Sequence, residues 1–275
     1  MVRLPSFLLA LLAFFATAVH AGEWREHPEW GQAFAEAHVK GTMLVYAEGD
    51  GTMHVWNAER ARHPYVPAST FKVFNAMVAI DTGAVKDEFE TIAWDGKKRP
   101  IAEWNRANSL ASGMRYSTVW FYQEMARRAG QQRMQAWIDK AGYGNRDISG
   151  GIDAFWLGGG LRISAEQQVA FLRRLADGTL PFSQRAQEIA RRITVYEAGS
   201  DFILHAKTGW GEHVAQDDPN ANKAHDLGWD VGWVEHGGKR WFFALNIDIV
   251  TPEDGNQRVE LARKLLAGMG AFGKP

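Results

Sequence analysis

The 275-residue chain is 46% hydrophobic, contains no cysteine and has a formal net charge of −1 at pH 7. This length is enough to bury a sizeable core, in one large domain or two interleaved ones. The balanced charge argues against a nucleic-acid partner, which would require a basic stripe. The lack of cysteine excludes a disulfide framework and lipid attachment through a cysteine at the mature N-terminus.

The first 21 residues are typical of a secretory signal peptide. Arg3 supplies a positive start, residues 4–19 form a short apolar stretch, and a small-residue cleavage site follows. We expect cleavage after Ala21, with Ala18 as the alternative, and a periplasmic mature chain of residues 22–275 that keeps no membrane anchor. An uncleaved anchor is the competing interpretation, but the apolar run is short for a spanning helix.

Strand patterns occupy both ends of the mature chain. An early pair of strand-like runs flanks a glycine-rich turn, which predicts a hairpin. A later pair flanks a second turn signal at 236–239. The predicted strands are 41–47, 52–56, 202–207, 229–235 and 241–249.

The middle of the chain has helical periodicity, and a capping box opens one segment at Ser164. The predicted helices are 69–81, 118–130, 131–141, 165–177, 183–192 and, at the end of the chain, 257–269. We therefore expect an α/β (α+β) fold. One antiparallel sheet, built from both chain ends and flanked by helices, would carry an inserted all-helical domain at about 64–192.

Residues 209–228 form an unusually long connection between two presumed neighbouring strands, where hairpin loops of two to five residues are usual. The segment is rich in charged residues and histidine. It is either a solvated excursion or a rim over the site that screens substrates.

Four short motifs occur in order along the chain: Ser-Thr-Phe-Lys at 69–72, Ser-Thr-Val at 117–119, Tyr-Gly-Asn at 143–145 and Lys-Thr-Gly at 207–209. The first places a hydroxyl and an amine about one helical turn apart on the same face, which suits a nucleophile beside its base. Alone it is weak, since about one chance match is expected in a chain this long. A lysine at the start of a buried helix is unusual, however.

With Phe-Trp-Leu at 155–157 and Trp-Asp-Val-Gly-Trp-Val at 229–234, these motifs resemble the class D, oxacillinase-type serine β-lactamases. The resemblance covers nearly the whole mature chain. It implies the fold of serine β-lactamases and penicillin-binding transpeptidases, with the site at the seam of its two parts. It also implies hydrolysis of the β-lactam amide through a serine ester, and hence antibiotic resistance. The Ser-Asp-Asn triplet of class A relatives is absent, and the triplet at 117–119 takes its role.

Ser69 is the candidate nucleophile and Lys72 the candidate base. An ordinary lysine is a poor base at neutral pH, but burial lowers its pKa because the charged form loses hydration. The resemblance implies that Lys72 is N-carboxylated and that the carbamate is the general base in acylation and deacylation. Carbon dioxide or bicarbonate is then needed, and no other cofactor is expected. The indole N–H of Trp156 would bond the carbamate.

The resemblance assigns further residues to the site. Val119 and Leu157 would wall the carbamate pocket, although alone they, like Trp156, would be interpreted as core. Ser117 would relay a proton to the leaving nitrogen, and Lys207 would orient that hydroxyl.

Substrate binding is expected from the strand that carries Lys-Thr-Gly. Thr208 and Arg258 would clamp the substrate carboxylate, since arginine pairs with carboxylates in a specific geometry. Without the resemblance, Arg258 would be interpreted as a surface residue. Gly209 lies between the clamp and Trp210, and the resemblance implies that the backbone N–H of Trp210 forms the oxyanion hole with that of Ser69. Tyr143 and Asn145 are expected to support the site.

Metal catalysis is not expected, because the nine histidines are scattered without a metal-binding motif. The expected partner is a small β-lactam, and a homodimer is compatible with the resemblance. Two alternatives share Ser-x-x-Lys: a β-lactam sensor or penicillin-binding domain that stays acylated, and a cell-wall peptidase acting on D-Ala-D-Ala. The sequence leaves open whether the substrates include oxacillin, cephalosporins or carbapenems.

Overall fold

The structure is a computed structural model that describes residues 23–212 and 225–273. The predicted signal peptide lies outside the described residues and stays a prediction. The strands are β1 (Trp24–Glu26), β2 (Gly41–Ala47), β3 (Thr52–Trp56), β4 (Val195–Ala198), β5 (Phe202–Gly211), β6 (Asp226–His236) and β7 (Lys239–Ile249). The α-helices are α1 (Trp30–Glu36), α2 (Ala58–Arg62), α3 (Lys72–Asp81), α4 (Leu110–Arg115), α5 (Val119–Ala129), α6 (Gln131–Ala141), α7 (Ala165–Ala176), α8 (Gln184–Thr194) and α9 (Asp254–Gly268).

The seven strands form one sheet in the order β1-β3-β2-β7-β6-β5-β4. The β1–β3 pair is parallel, and the other neighbours are antiparallel. The register of β2 on β7 sets Gly41 opposite Ile247, so the two chain ends meet in the middle of the sheet. The expected sheet from both chain ends and both expected hairpins are confirmed.

An apolar core lies on each face of the sheet, because successive side chains of a strand point to opposite faces. On β2, Leu44 packs with the helical part of the molecule, while Met43 and Val45 pack with α1 and α9. The fold class is therefore confirmed: helices flank the sheet, and α2 to α8 lie between β3 and β4.

Helix α3 shows how the sequence forms this core. Its apolar side chains Val73, Phe74, Met77 and Ile80 are all buried, as helical spacing predicts. Each contributes about 1.5–3 kcal/mol through burial. Lys72 begins this helix, so the apolar packing that holds α3 also encloses the lysine.

Sequence analysis did not predict the short helices and the short edge strand. Helices α1, α2 and α4 have five to seven residues, too few to establish a periodicity. Edge strand β4 pairs on one side with β5 and exposes Val195 and Tyr196, so it lacks the apolar alternation of a half-buried strand.

The expected connection at 209–228 is corrected by the structure. The β5–β6 ladder continues past Gly209, with Trp210 opposite Gly228 and Gly211 opposite Leu227. The connection is therefore shorter than predicted. Its residues 213–224, where a rim over the site was considered, lie outside the described residues. Within the described ranges, no helix has the length and apolarity that a membrane crossing requires.

Candidate active site

Ser69 and Lys72 are joined where a short 3₁₀ helix, Ala68–Phe71, runs into α3. The Lys72 Nζ atom lies 2.5 Å from Ser69 Oγ. Lys72 is fully buried and Ser69 is 8% exposed. The predicted nucleophile–amine pair is therefore assembled, with the hydroxyl at the edge of the buried region.

The surroundings of Lys72 favour its neutral amine. Burial lowers the pKa of Lys72 well below its usual value of 10.5, and the positive charge of Lys207 lowers it further. Among the described residues, no carboxylate lies within ion-pair distance of Lys72. A neutral amine can accept a proton and can also react with carbon dioxide.

Trp156 is fully buried and stacks on Phe71, the residue before Lys72, with ring centroids 5.3 Å apart. Its indole Nε1 donates no hydrogen bond to any of the described residues. A buried N–H without an acceptor costs free energy. Trp156 therefore holds a donor suited to an anion beside α3, and the residues present fit a carbamate on Lys72.

Ser117 and Lys207 form a second hydroxyl–amine pair. Ser117 lies between α4 and α5 with φ of 54°, a left-handed conformation that costs a residue other than glycine about 1–3 kcal/mol. Lys207, on β5, donates to Ser117 Oγ at 3.0 Å and to the Thr208 carbonyl oxygen at 2.8 Å. Burial and, to a smaller extent, the charge of Arg258 lower the pKa of Lys207 to about 7, while Asp230 opposes the shift.

Strand β5 passes close to the 3₁₀ helix of Ser69 at Gly209. A Cβ added there would lie 3.1 Å from the Pro67 carbonyl oxygen and 3.2 Å from Thr70 Cγ2. Gly209 thus permits the close approach of β5 to the 3₁₀ helix that carries Ser69.

Arg258 lies in the first turns of α9, against the ladder of β5 and β6. Its guanidinium carbon is 5.5 Å from the Trp210 ring centroid, and a Cβ on Gly228 would lie 3.2 Å from Arg258 Cδ. Its Nη1 donates to the Gly255 carbonyl oxygen. Arg258 is therefore partly buried against β5 and β6. The resemblance implied a place in the site, whereas the sequence alone indicated a surface residue.

The remaining predicted residues line or support this seam. Val119 and Leu157 are partly exposed rather than sealed in the core, and Leu157 packs against it. Tyr143 is buried with its ring centroid 4.9 Å from that of Phe74. Asn145 Nδ2 donates to the Gly160 carbonyl oxygen at 2.8 Å, and so braces the loop beyond Trp156.

Sequence analysis missed one ionisable residue of the seam, Asp230. It lies on β6 opposite Thr208 and is 4% exposed. Burial raises its pKa to about 7, against the pull of Arg258 and Lys207. An acidic residue in the otherwise apolar run of 229–234 was the signal that could have identified it.

The described part of the chain contains no group of three His, Cys, Asp or Glu side chains placed to hold a metal ion. What the site brings together is two hydroxyl–amine pairs, the β5 backbone at Gly209 and a partly buried arginine. This set can perform nucleophilic acyl transfer on a substrate that carries a carboxylate.

Residues 36–267 match the penicillin-binding protein transpeptidase domain family. The chain is 40% identical to β-lactamase OXA-48 of Klebsiella pneumoniae over 265 residues, which cover 94% of this chain and 97% of that protein. It is 38% identical to β-lactamase OXA-2 of Salmonella typhimurium over 277 residues, covering 98% and 95% of the two chains.

Solved structures give the same result. The class D β-lactamase YbXI from Nostoc superposes with a TM-score of 0.82 at 38% identity, covering 88% of this chain and 98% of that one. The class D β-lactamase FUS-1 (OXA-85) from Fusobacterium nucleatum subsp. polymorphum gives 0.83 at 34% identity, covering 90% and 100%. The fold and the paired hydroxyls and amines define a serine acyl-transfer enzyme of the penicillin-binding transpeptidase type. Within that class, the chain belongs to the class D β-lactamases.

Proposed function

We propose that the mature chain is a periplasmic enzyme that hydrolyses the β-lactam amide of penicillins through an acyl-enzyme on Ser69, with N-carboxylated Lys72 as general base. The observation that carries this proposal is the 2.5 Å contact between Ser69 Oγ and the fully buried Nζ of Lys72. The periplasmic location rests on the signal-like residues 1–21.

Acylation begins when Ser69 Oγ attacks the carbonyl carbon of the β-lactam. The hydroxyl proton must leave in the direction of Lys72, since its Nζ is the polar atom in contact with Oγ. Lys72 would hold the carbamate, and this group would supply a base for the Ser69 proton and for the water that cleaves the ester. The free indole N–H of Trp156 supports that anion.

The second pair completes the cleavage of the amide. When the C–N bond breaks, the departing nitrogen needs a proton, and Ser117 Oγ can supply it. Lys207, 3.0 Å from that oxygen, orients the hydroxyl. Lys207 and Arg258 also place positive charge where the substrate carboxylate would bind beside Thr208. The backbone N–H groups of Ser69 and Trp210 would hold the oxyanion, and losing one such donor typically costs about 10²–10³ in rate.

The proposal is tested by titrating bicarbonate. Protein stripped of carbon dioxide should hydrolyse penicillin slowly, and ¹³C-bicarbonate should restore the rate together with a carbamate signal in the NMR spectrum. Lys72→Ala should lose the signal and stay acylated. Trp156→Phe should need about tenfold more bicarbonate for half-maximal rate, since a supporting hydrogen bond is lost.

Trp233→Phe is the matched control. Trp233 is also fully buried, but its Nε1 already donates to Glu235 at 2.8 Å. This variant should titrate like the wild type. Hydrolysis that is independent of bicarbonate, without a carbamate signal, would contradict the assignment of the base.

A further inference from the structure

A buried acid, Asp230, lies opposite Thr208 and within the electrostatic influence of Arg258, the two residues of the proposed carboxylate clamp. We infer that Asp230 is a specificity-determining residue for the substrate carboxylate, an acidic side chain placed beside the proposed clamp so that it opposes binding of that carboxylate; this inference rests on the proposed function.

The sheet register places the two groups together. Thr208 and Asp230 are directly opposite on antiparallel β5 and β6. Side chains of opposite residues lie on the same face, with Cβ atoms about 4.5–5.5 Å apart. Both residues line one cavity of about 60 Å³, together with Lys207 and Val259. A carboxylate bound by Thr208 would therefore face the carboxyl group of Asp230.

Asp230 is not neutralised by a direct partner. Its Oδ1 accepts no hydrogen bond from any described residue, and no described cation lies within ion-pair distance. The Nε of Arg258 is likewise without a partner in the described part of the chain. A buried acceptor and a buried donor of opposite charge thus remain free at the same seam, and a buried charge that is not directly paired is costly.

The charged groups around Asp230 come from three elements. Lys207 lies on β5, Arg258 on α9, and Arg115 at the end of α4 lines the same cavity. On the other side of β6, the residue opposite Asp230 is the apolar Leu245 of β7. The local charge is therefore set by three basic groups and one acid.

The balance changes near neutral pH. Burial raises the pKa of Asp230 to about 7, and burial lowers the pKa of Lys207 to about 7. As pH rises through this range, Asp230 gains a negative charge and Lys207 loses a positive one. Both changes reduce the attraction for a substrate carboxylate, so only a variant at Asp230 separates their contributions.

The experiment compares kcat/KM for a penicillin and for its methyl ester between pH 6 and pH 8.5. The ratio of acid to ester isolates recognition of the carboxylate, because both substrates share the reacting amide. In the wild type this ratio should fall about tenfold as pH rises. In Asp230→Asn the ratio should fall less than threefold. The kcat/KM of this variant for the acid should exceed that of the wild type only at high pH, through a lower KM. Asp230→Glu should restore the fall.

Glu36→Gln, at a surface ion pair with Lys264, is the matched control and should behave as the wild type. An unchanged ratio profile in Asp230→Asn would assign the whole effect to Lys207 and overturn the inference. If neither substrate is hydrolysed by the wild type, the proposed function fails instead. Fluorescence and circular dichroism spectra identify a variant that has not folded, in which case Asp230→Ser provides the second neutral substitution.

Discussion

Two clusters of buried charge on the same sheet differ in how their charges are satisfied. At the β2–β7 side, Arg60 donates to Asn246 Oδ1 and Asp248 Oδ1, each at 2.6 Å, and Asp248 also meets His225 at 3.0 Å. At the seam, the buried amines of Lys72 and Lys207 each meet a serine hydroxyl, and neither has a carboxylate of the described residues within ion-pair distance.

The comparison distinguishes charged groups that hold the fold together from charged groups that take part in the proposed reaction. Paired charges fix the positions of the elements that carry them, and α2 is held to β7 in this way. Unpaired charges of one sign raise the energy of the folded state and shift the pKa of each group towards neutrality. Such groups are retained where the shifted pKa is used in a reaction.

The largest expected effect tests the chemistry of the seam directly. Ser69→Ala should abolish turnover, with a fall of at least about 10⁴ in kcat, because loss of a nucleophile removes the covalent pathway. Its free energy of unfolding should fall by no more than about 1–3 kcal/mol, because the buried Lys72 amine loses its hydrogen-bond partner, Ser69 Oγ. Steady-state kinetics and urea unfolding measure both quantities. A variant that stays active would break the distinction between the two clusters.

Methionine substitutions compare the clusters by stability. Arg60→Met should lower the free energy of unfolding by up to about 3 kcal/mol, because it leaves the largely buried Asp248 with only His225 as a partner. Lys207→Met should leave it unchanged or raise it, although activity is lost. Urea unfolding at pH 6 measures the difference.

The pH dependence sharpens the same comparison. The pKa of Lys207 is about 7 in the folded chain and 10.5 in the ordinary state, so the unfolded chain binds more protons between these values. The stability of the wild type therefore rises with pH across that range. The advantage of Lys207→Met should be largest below pH 7 and shrink towards pH 10.5. An equal loss of stability in Arg60→Met and Lys207→Met would contradict the comparison.

His205 is a buried group whose burial favours the neutral ring, although Glu235 lies 3.7 Å from its Nε2. It stacks on Trp233 at 3.9 Å, and its Nδ1 lies 3.0 Å from the Arg191 carbonyl oxygen. Burial lowers its pKa from 6.5 to about 4. The unfolded chain binds this proton at a higher pH than the folded chain does. The free energy of unfolding should therefore rise from pH 4 to pH 6.5, by at most about 3 kcal/mol. His205→Phe should remove this part of the pH slope in urea unfolding; an unchanged slope would assign it to other groups.

Ser183 lies outside both clusters and gives the smallest effect. Its hydroxyl accepts from the Ala186 N–H at 3.1 Å at the start of α8 and also contacts Asp81. Ser183→Ala should cost about 1 kcal/mol of stability, as is typical for the loss of a helix cap. Thermal unfolding measures this loss, and kcat/KM should stay at the wild-type value. A large loss of activity would mean that α8 positions the seam more tightly than its contacts indicate.

Long periodic elements and ordered motifs could be predicted from the sequence. Helices α5 to α8, the hairpins and the pairs Ser69–Lys72 and Ser117–Lys207 follow from local spacing and from the resemblance. The short elements could not be predicted from local spacing. Strand β4 depends on pairing with β5, and helix α4 depends on a cap at Ser109. Asp230 was missed because its environment comes from the β5–β6 register and from α9, which are distant in sequence.

Intact-mass spectrometry of the mature protein mixed with penicillin, sampled over time with and without bicarbonate, tests the central claim most directly. We expect rapid loss of the drug with a transient adduct on Ser69, and faster clearance of that adduct with bicarbonate. A stoichiometric adduct that persists in bicarbonate would contradict the hydrolase mechanism. It would instead indicate a sensor or penicillin-binding domain that is acylated without turnover.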